Sequence, residues 1–139
     1  PVMTSETQTE MVTRITEKIQ KNLHDIIRTD SFLLDDAEIA LVSYGVSART
    51  SMAAVAEARK LGIKAGLLRL VTIWPFPEDQ IRKLADRVRG FVTVEINLGQ
   101  IHREVERCAG AKVPVFLVGH PGGTIIHPDS VVNLLKEAF

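Results

Sequence analysis

The chain has 139 residues, enough for one domain with a substantial buried core, and 45% of them are apolar. Seventeen Lys and Arg balance seventeen Asp and Glu, which excludes the basic footprint of a nucleic-acid or anionic-membrane binder. The lone Cys108 excludes an internal disulfide and any multi-cysteine metal site within the chain. No apolar run approaches a membrane span, and the polar first thirty residues are not a secretory signal, so a cytoplasmic protein is expected.

Residues 4–28 read as one amphipathic helix. Met11, Val12, Ile15, Ile19, Leu23, Ile26 and Ile27 recur at helical spacing, and Ser5 with Gln8 fits a capping box. Such a stripe needs a partner: this domain's own sheet, a neighbouring subunit or another domain. A start at Pro1, amid polar sequence and without an initiator Met, points to a piece of a longer polypeptide. Residues 1–30 are therefore expected to form a helix and linker, and 31–139 the folded domain.

Residues 31–36 are a short apolar patch ended by two acids, which suits an edge strand. Strands and helices then alternate. Residues 38–45 form a strand ending at a glycine turn, Ser47 caps a helix over 48–61, and Gly62 closes it. Residues 63–70 form the next strand and 78–89 the next helix, with Ile81, Leu84, Ala85 and Val88 facing the sheet. A strand over 91–95 is followed by a turn at Asn97-Leu98-Gly99 and a helix over 100–109, with Ile101, Val105 and Cys108 inward. A strand over 113–118 leads through 119–124 to a helix over 128–138. This alternation requires right-handed crossovers, hence a mostly parallel sheet between helices, a three-layer α/β/α fold.

Residues 64–80 (KAGLLRLVTIWPFPEDQ) organise the chain. The apolar run suits a central strand covered on both faces. Pro75 fixes the corner that follows, Pro77 fits the first helical position, and Glu78 and Asp79 lie in the positively polarised first turn. Trp74, Pro75 and Phe76 thus form an apolar corner at the carboxyl end of a strand, where open α/β sheets meet ligands or partners, and are interface candidates.

The turn from Tyr44 to Arg49 sits where α/β proteins cradle phosphate, although neither glycine-rich phosphate template is present; Ser47 and Arg49 fit an anion site or a plain capping turn. Residues 95–100 put a carboxylate and two amides at another strand end, either to meet a ligand or to tie down backbone N–H groups. Ser47, Arg49, Arg69, Asn97 and Gln100 are therefore the ligand candidates of the carboxyl edge. The histidines at 24, 102, 120 and 127 have no metal-ligand spacing, and His24 and His102 fall on helix surfaces. No catalytic residue and no metal ligand is assigned.

Taken together, residues 37–45 (AEIALVSYG), 66–70 (GLLRL), 74–77 (WPFP) and 94–100 (VEINLGQ) resemble a known family. They are similar to the second domain of the alpha subunit of 2-oxoacid:ferredoxin oxidoreductases, over roughly residues 37–139, and the last run favours the 2-oxoglutarate type. The resemblance implies the Rossmann-like, transketolase carboxyl-terminal fold: a five-stranded, mostly parallel sheet with one antiparallel edge strand, for which 31–36 is the candidate. It also implies a non-catalytic assembly domain. The whole enzyme would convert a 2-oxoacid, coenzyme A and oxidised ferredoxin to acyl-CoA, CO2 and reduced ferredoxin. Thiamine diphosphate, magnesium, an iron–sulfur cluster and coenzyme A would be cofactors of the complete enzyme, none of them bound by this chain. The implied partners are the beta subunit, the remaining alpha-subunit domains and ferredoxin, in an oligomer. His127 departs from the small hydroxyl cap usual before Pro128. Two alternatives stay open: a free-standing small-ligand or anion-binding α/β domain using the Ser47–Arg49 turn, and the C-terminal domain of another transketolase-like enzyme.

Overall fold

In a computed structural model, which describes residues 4–139, β1 (Thr29–Phe32) is the only antiparallel strand of one five-stranded sheet. It pairs with β3 (Ala65–Leu70); β2 (Ile39–Tyr44), β4 (Gly90–Glu95) and β5 (Val115–Gly119) complete the order β1-β3-β2-β4-β5, and β2 to β5 run parallel. Two N-terminal helices, α1 (Ser5–Gln20) and α2 (Leu23–Ile26), precede the sheet, and α3 (Gly45–Lys60), α4 (Glu78–Ala85), α5 (Gln100–Ala109) and α6 (Pro128–Ala138) follow β2 to β5 in turn.

Strand residues alternate between two faces, and each face has its own core. Ile39, Leu41, Leu67, Val92 and Val94 pack under α3 and α6 against Ala54, Val55 and Leu135. Ala40, Val42, Leu68 and Phe91 pack under α4 and α5 against Ile81, Leu84, Val105 and Cys108. The inward-facing residues expected on α4 and α5 are all buried. Gly66 is required by close approach: a Cβ there would lie 2.4 Å from the Leu33 carbonyl oxygen.

The edge strand occupies Thr29–Phe32 rather than 31–36. Leu33 turns to φ 50° and ends it. Two distant arginines fix this turn: Arg59 Nη2 donates to Leu33 O at 2.8 Å, and Arg87 donates to Leu34 O and Asp35 O at 2.8 and 3.1 Å. The helix expected over 4–28 is broken between α1 and α2, where Asn22 Nδ2 bonds back to Lys18 O at 2.7 Å and competes with the backbone. Its cap is Thr4, accepting from Thr7 N, not the Ser5 box. α1 buries none of its residues, and Met11, Val12 and Ile15 are exposed, so its stripe does not pack on this sheet. Helix α4 stops at Ala85 rather than 89, because the Leu84 carbonyl accepts from both Arg87 N and Val88 N and closes a turn. β3 and β5 each begin two residues later than expected, and Pro77 caps α4 rather than opening it. No helix among the described residues is long and apolar enough to cross a membrane.

Candidate functional site

The carboxyl ends of β2 to β5 lie on one side of the sheet, and the end of β4 carries a dense set of side-chain hydrogen bonds. Glu95 is buried, with Oε2 accepting from Ile101 N at 3.0 Å and Oε1 from His102 N at 2.9 Å. Two residues on, Asn97 Oδ1 accepts from Gly99 N at 2.7 Å and Gln100 N at 3.0 Å. These two side chains satisfy four consecutive amides, 99 to 102, at a helix start that has no internal acceptors for them. Gly99 takes φ 93°, a conformation that favours glycine, to bring the chain into α5. The positive end of α5 stabilises the Glu95 carboxylate in turn.

The remaining polar atoms interlock. Asn97 Nδ2 donates to the Tyr44 hydroxyl at 2.9 Å. Burial pushes the Tyr44 phenol above its ordinary pKa, the nearby Glu95 carboxylate adds to this, and the Asn97 bond opposes it. Thr93 Oγ1 donates to Phe116 O at 3.2 Å and lies 3.1 Å from His102 Nδ1. His102 is thus half-buried rather than on the helix surface.

The Trp74 corner follows β3. Val71 N and Thr72 N both donate to Arg28 O, and Thr72 Oγ1 donates to Ile26 O at 2.8 Å, which ties the corner to the end of α2. Pro75 and Phe76 are buried, whereas Trp74 is 70% exposed. The corner walls a cleft of about 870 Å³, lined also by Leu23, Ile27, Glu78 and Arg107. Glu78 accepts from Arg107 at 2.7 Å and Arg82 at 2.6 Å, which holds its carboxyl below the ordinary carboxylate range. A smaller cleft of about 420 Å³ lies between the 96–100 turn and Pro121, lined also by Arg103.

The ligand candidates do not form one cluster. Asn97 and Gln100 share the α5 turn, and both line the smaller cleft. Ser47 is buried within the first turn of α3; Tyr44 takes the capping position expected of it, because the helix begins directly at Gly45. Arg49 is exposed on α3. Arg69 pairs with Asp30 across β1 and β3 at 3.5 Å. It is in register with Ser43, on the α3 face, whereas Tyr44 and Glu95 point to the α5 face. The sequence carried no sign of Arg103 in the cleft, since a lone helical arginine has no local pattern.

An iron–sulfur cluster held by this chain alone would need several thiolates, and the sequence has one cysteine. Cys108 is a single buried cysteine whose thiol pKa is raised by desolvation, and no three His, Cys, Asp or Glu side chains cluster among the described residues.

Residues 37–131 match the family model for the pyruvate:ferredoxin oxidoreductase core domain II. The chain belongs to this family. Ketoisovalerate oxidoreductase subunit VorB of Methanothermobacter thermautotrophicus is 40% identical over 121 residues, covering 87% of this chain and 34% of that protein. 2-Oxoglutarate synthase subunit KorA of Methanocaldococcus jannaschii is 40% identical over 131 residues, covering 94% and 35%. The chain therefore spans about a third of the length of these relatives. Among solved structures, the 2-oxoglutarate:ferredoxin oxidoreductase from Magnetococcus marinus with 2-oxoglutarate, coenzyme A and succinyl-CoA bound superposes with a TM-score of 0.75. The identity is 16%, over 99% of this chain and 24% of that one. A split-gene transketolase, an inactive beta4 tetramer, gives 0.69 at 18% identity, over 80% and 41%. The core domain II family thus carries here the transketolase-like α/β/α sheet expected from the sequence.

Proposed function

We propose that this chain is an assembly domain of a 2-oxoacid:ferredoxin oxidoreductase alpha subunit, with 2-oxoglutarate the favoured substrate class. It contributes contacts and shape, while thiamine diphosphate, magnesium, the iron–sulfur cluster and coenzyme A are held by other domains or by the beta subunit. The carrying observation is Trp74, 70% exposed on a corner whose neighbours Pro75 and Phe76 are anchored in the core. A large aromatic held out on a rigid support has the form of an interface anchor. Trp74→Ala in the complete enzyme is expected to weaken assembly by about 2 kcal/mol, read by sedimentation, with little change in domain melting. Normal assembly of the variant complex would overturn the reading, since an exposed Trp74 has no core role to fall back on.

A second reading is favoured by the 420 Å³ cleft at Asn97, Gln100 and Arg103. There Asn97, Gln100 and Arg103 shape the entrance for the 2-oxoacid or coenzyme A, while Ser47, Arg49 and Arg69 stand apart from it. Arg103→Met and Gln100→Ala should then raise KM with assembly intact; unchanged kinetics in both variants would end this reading.

A further inference from the structure

We infer that the whole carboxyl edge, beyond the Trp74 corner, is one docking face for a protein surface that is apolar and carries carboxylates; this extends the assembly reading above and rests on it. The first observation is where exposed apolar side chains fall. Val46 follows β2, Val71, Ile73 and Trp74 follow β3, Leu98 follows β4 and Ile125 follows β5. Every parallel strand thus delivers at least one to the same rim. Outside α1, the other large exposed apolar residues among those described are only Leu33, Met52 and Leu61. Leu98 and Ile125 are 73% and 69% exposed, so the rim is more than the Trp74 corner.

The second observation is charge. Three acids at this edge are engaged by the chain's own arginines: Asp30 by Arg69, Glu78 by Arg82 and Arg107, and Glu104 by Arg107; Glu95 is held by the α5 amides, and Asp129 lies 3.2 Å from His127. Arg28 before β1, Arg49 on α3 and Arg103 on α5 have no acidic partner among the described residues. Arg49 and Arg103 lie in the amino-terminal halves of α3 and α5, and neither helix has an acid in its first turn, whereas α4 has Glu78 and Asp79 there. Carboxylates on a partner satisfy these arginines. A small anion would engage the arginines but leave six apolar side chains in water. A protein surface covers both, and an aromatic with arginines amid apolar side chains is interface composition.

The test uses the complete oxidoreductase complex. Leu98→Cys and Ile125→Cys are labelled with a maleimide beside Leu61→Cys, a control on the opposite edge. The two rim cysteines are expected to react about tenfold more slowly than the control, as buried interface positions do; equal rates overturn the proposal. In parallel, the double variant Arg49→Glu/Arg103→Glu is expected to weaken the complex about tenfold, and more than the neutral Arg49→Met/Arg103→Met pair. An unchanged complex overturns it, as does a raised KM with normal assembly, which would assign the arginines to a bound small anion. Slow labelling and a charge effect with Trp74→Ala silent would refute the corner while the edge stands. Fast labelling at 98 and 125 with Trp74→Ala disruptive would leave the corner alone.

Discussion

The two edges of the sheet use the same kinds of residue in opposite ways. At the amino edge the charges are joined within the chain: Asp36 to Arg59 at 2.7 Å, Glu38 to Lys64 at 3.0 Å, and Asp86 to Lys112. Arginines there also close carbonyls, Arg87 at Leu34 and Asp35 and Arg89 at Phe139. At the carboxyl edge the inner layer is equally complete, since Glu95 and Asn97 take the four amides that start α5. Its outer layer is not: Trp74, Leu98 and Ile125 stand in solvent, and Leu98 shares a cleft with Arg103, which has no acidic partner among the described residues. The formal net charge of zero hides this division. One end of the domain has its charges joined by its own side chains and leaves only Leu33 and Leu61 as large exposed apolar residues among those described, and the other has the composition of a surface that another protein finishes.

The largest effect is expected where the carboxyl edge is complete. Glu95→Ala leaves two buried amides without acceptors and should cost about 3 kcal/mol in chemical denaturation, with Glu95→Gln losing about half as much. A loss no larger than that of an exposed residue would mean that water replaces the carboxylate. Arg59→Met breaks the amino edge by freeing Leu33 O, Ala65 O and Asp36 together. It should cost about 2 kcal/mol in the same measurement, without disturbing assembly of the complete enzyme. An assembly defect there would erase the contrast between the edges.

Arg49→Glu is a smaller and more pointed test. Arg49 is the fifth residue of α3, beyond the first turn, so reversing its charge should leave the stability of the domain nearly unchanged while weakening the complex. A variant that loses stability alone would place the Arg49 partner inside the domain. The smallest effect is one of pH. Arg59 hydrogen bonds hold the Asp36 carboxyl below its usual range. A depressed folded-state value means that this stabilisation is present above the unfolded carboxylate value near about 4 and is lost as pH falls through the folded one. Melting temperature followed down through that window should fall less steeply in Arg59→Met than in the parent. Parallel acid limbs would mean that Asp36 contributes nothing there.

What the sequence determined by itself was the part governed by short-range periodicity. Strand and helix alternation fixed a parallel three-layer fold, and the inward faces of α4 and α5 followed from spacing alone. The 94–100 run was legible as a strand end tying down amides because Glu95 and Asn97 act on residues within seven positions. What only the tertiary structure decided came from partners far along the chain. The end of β1 depends on Arg59 and Arg87, 26 and 53 residues from the carbonyls they hold. Ser47 lost the capping place because β2 runs straight into α3. Arg69 and Asn97, both at strand ends in the sequence, were divided between the two faces by strand register. The gathering of exposed apolar side chains on one rim was likewise invisible in the sequence, for each stands alone in its own loop. They become one surface because parallel strands end together on one side of a sheet.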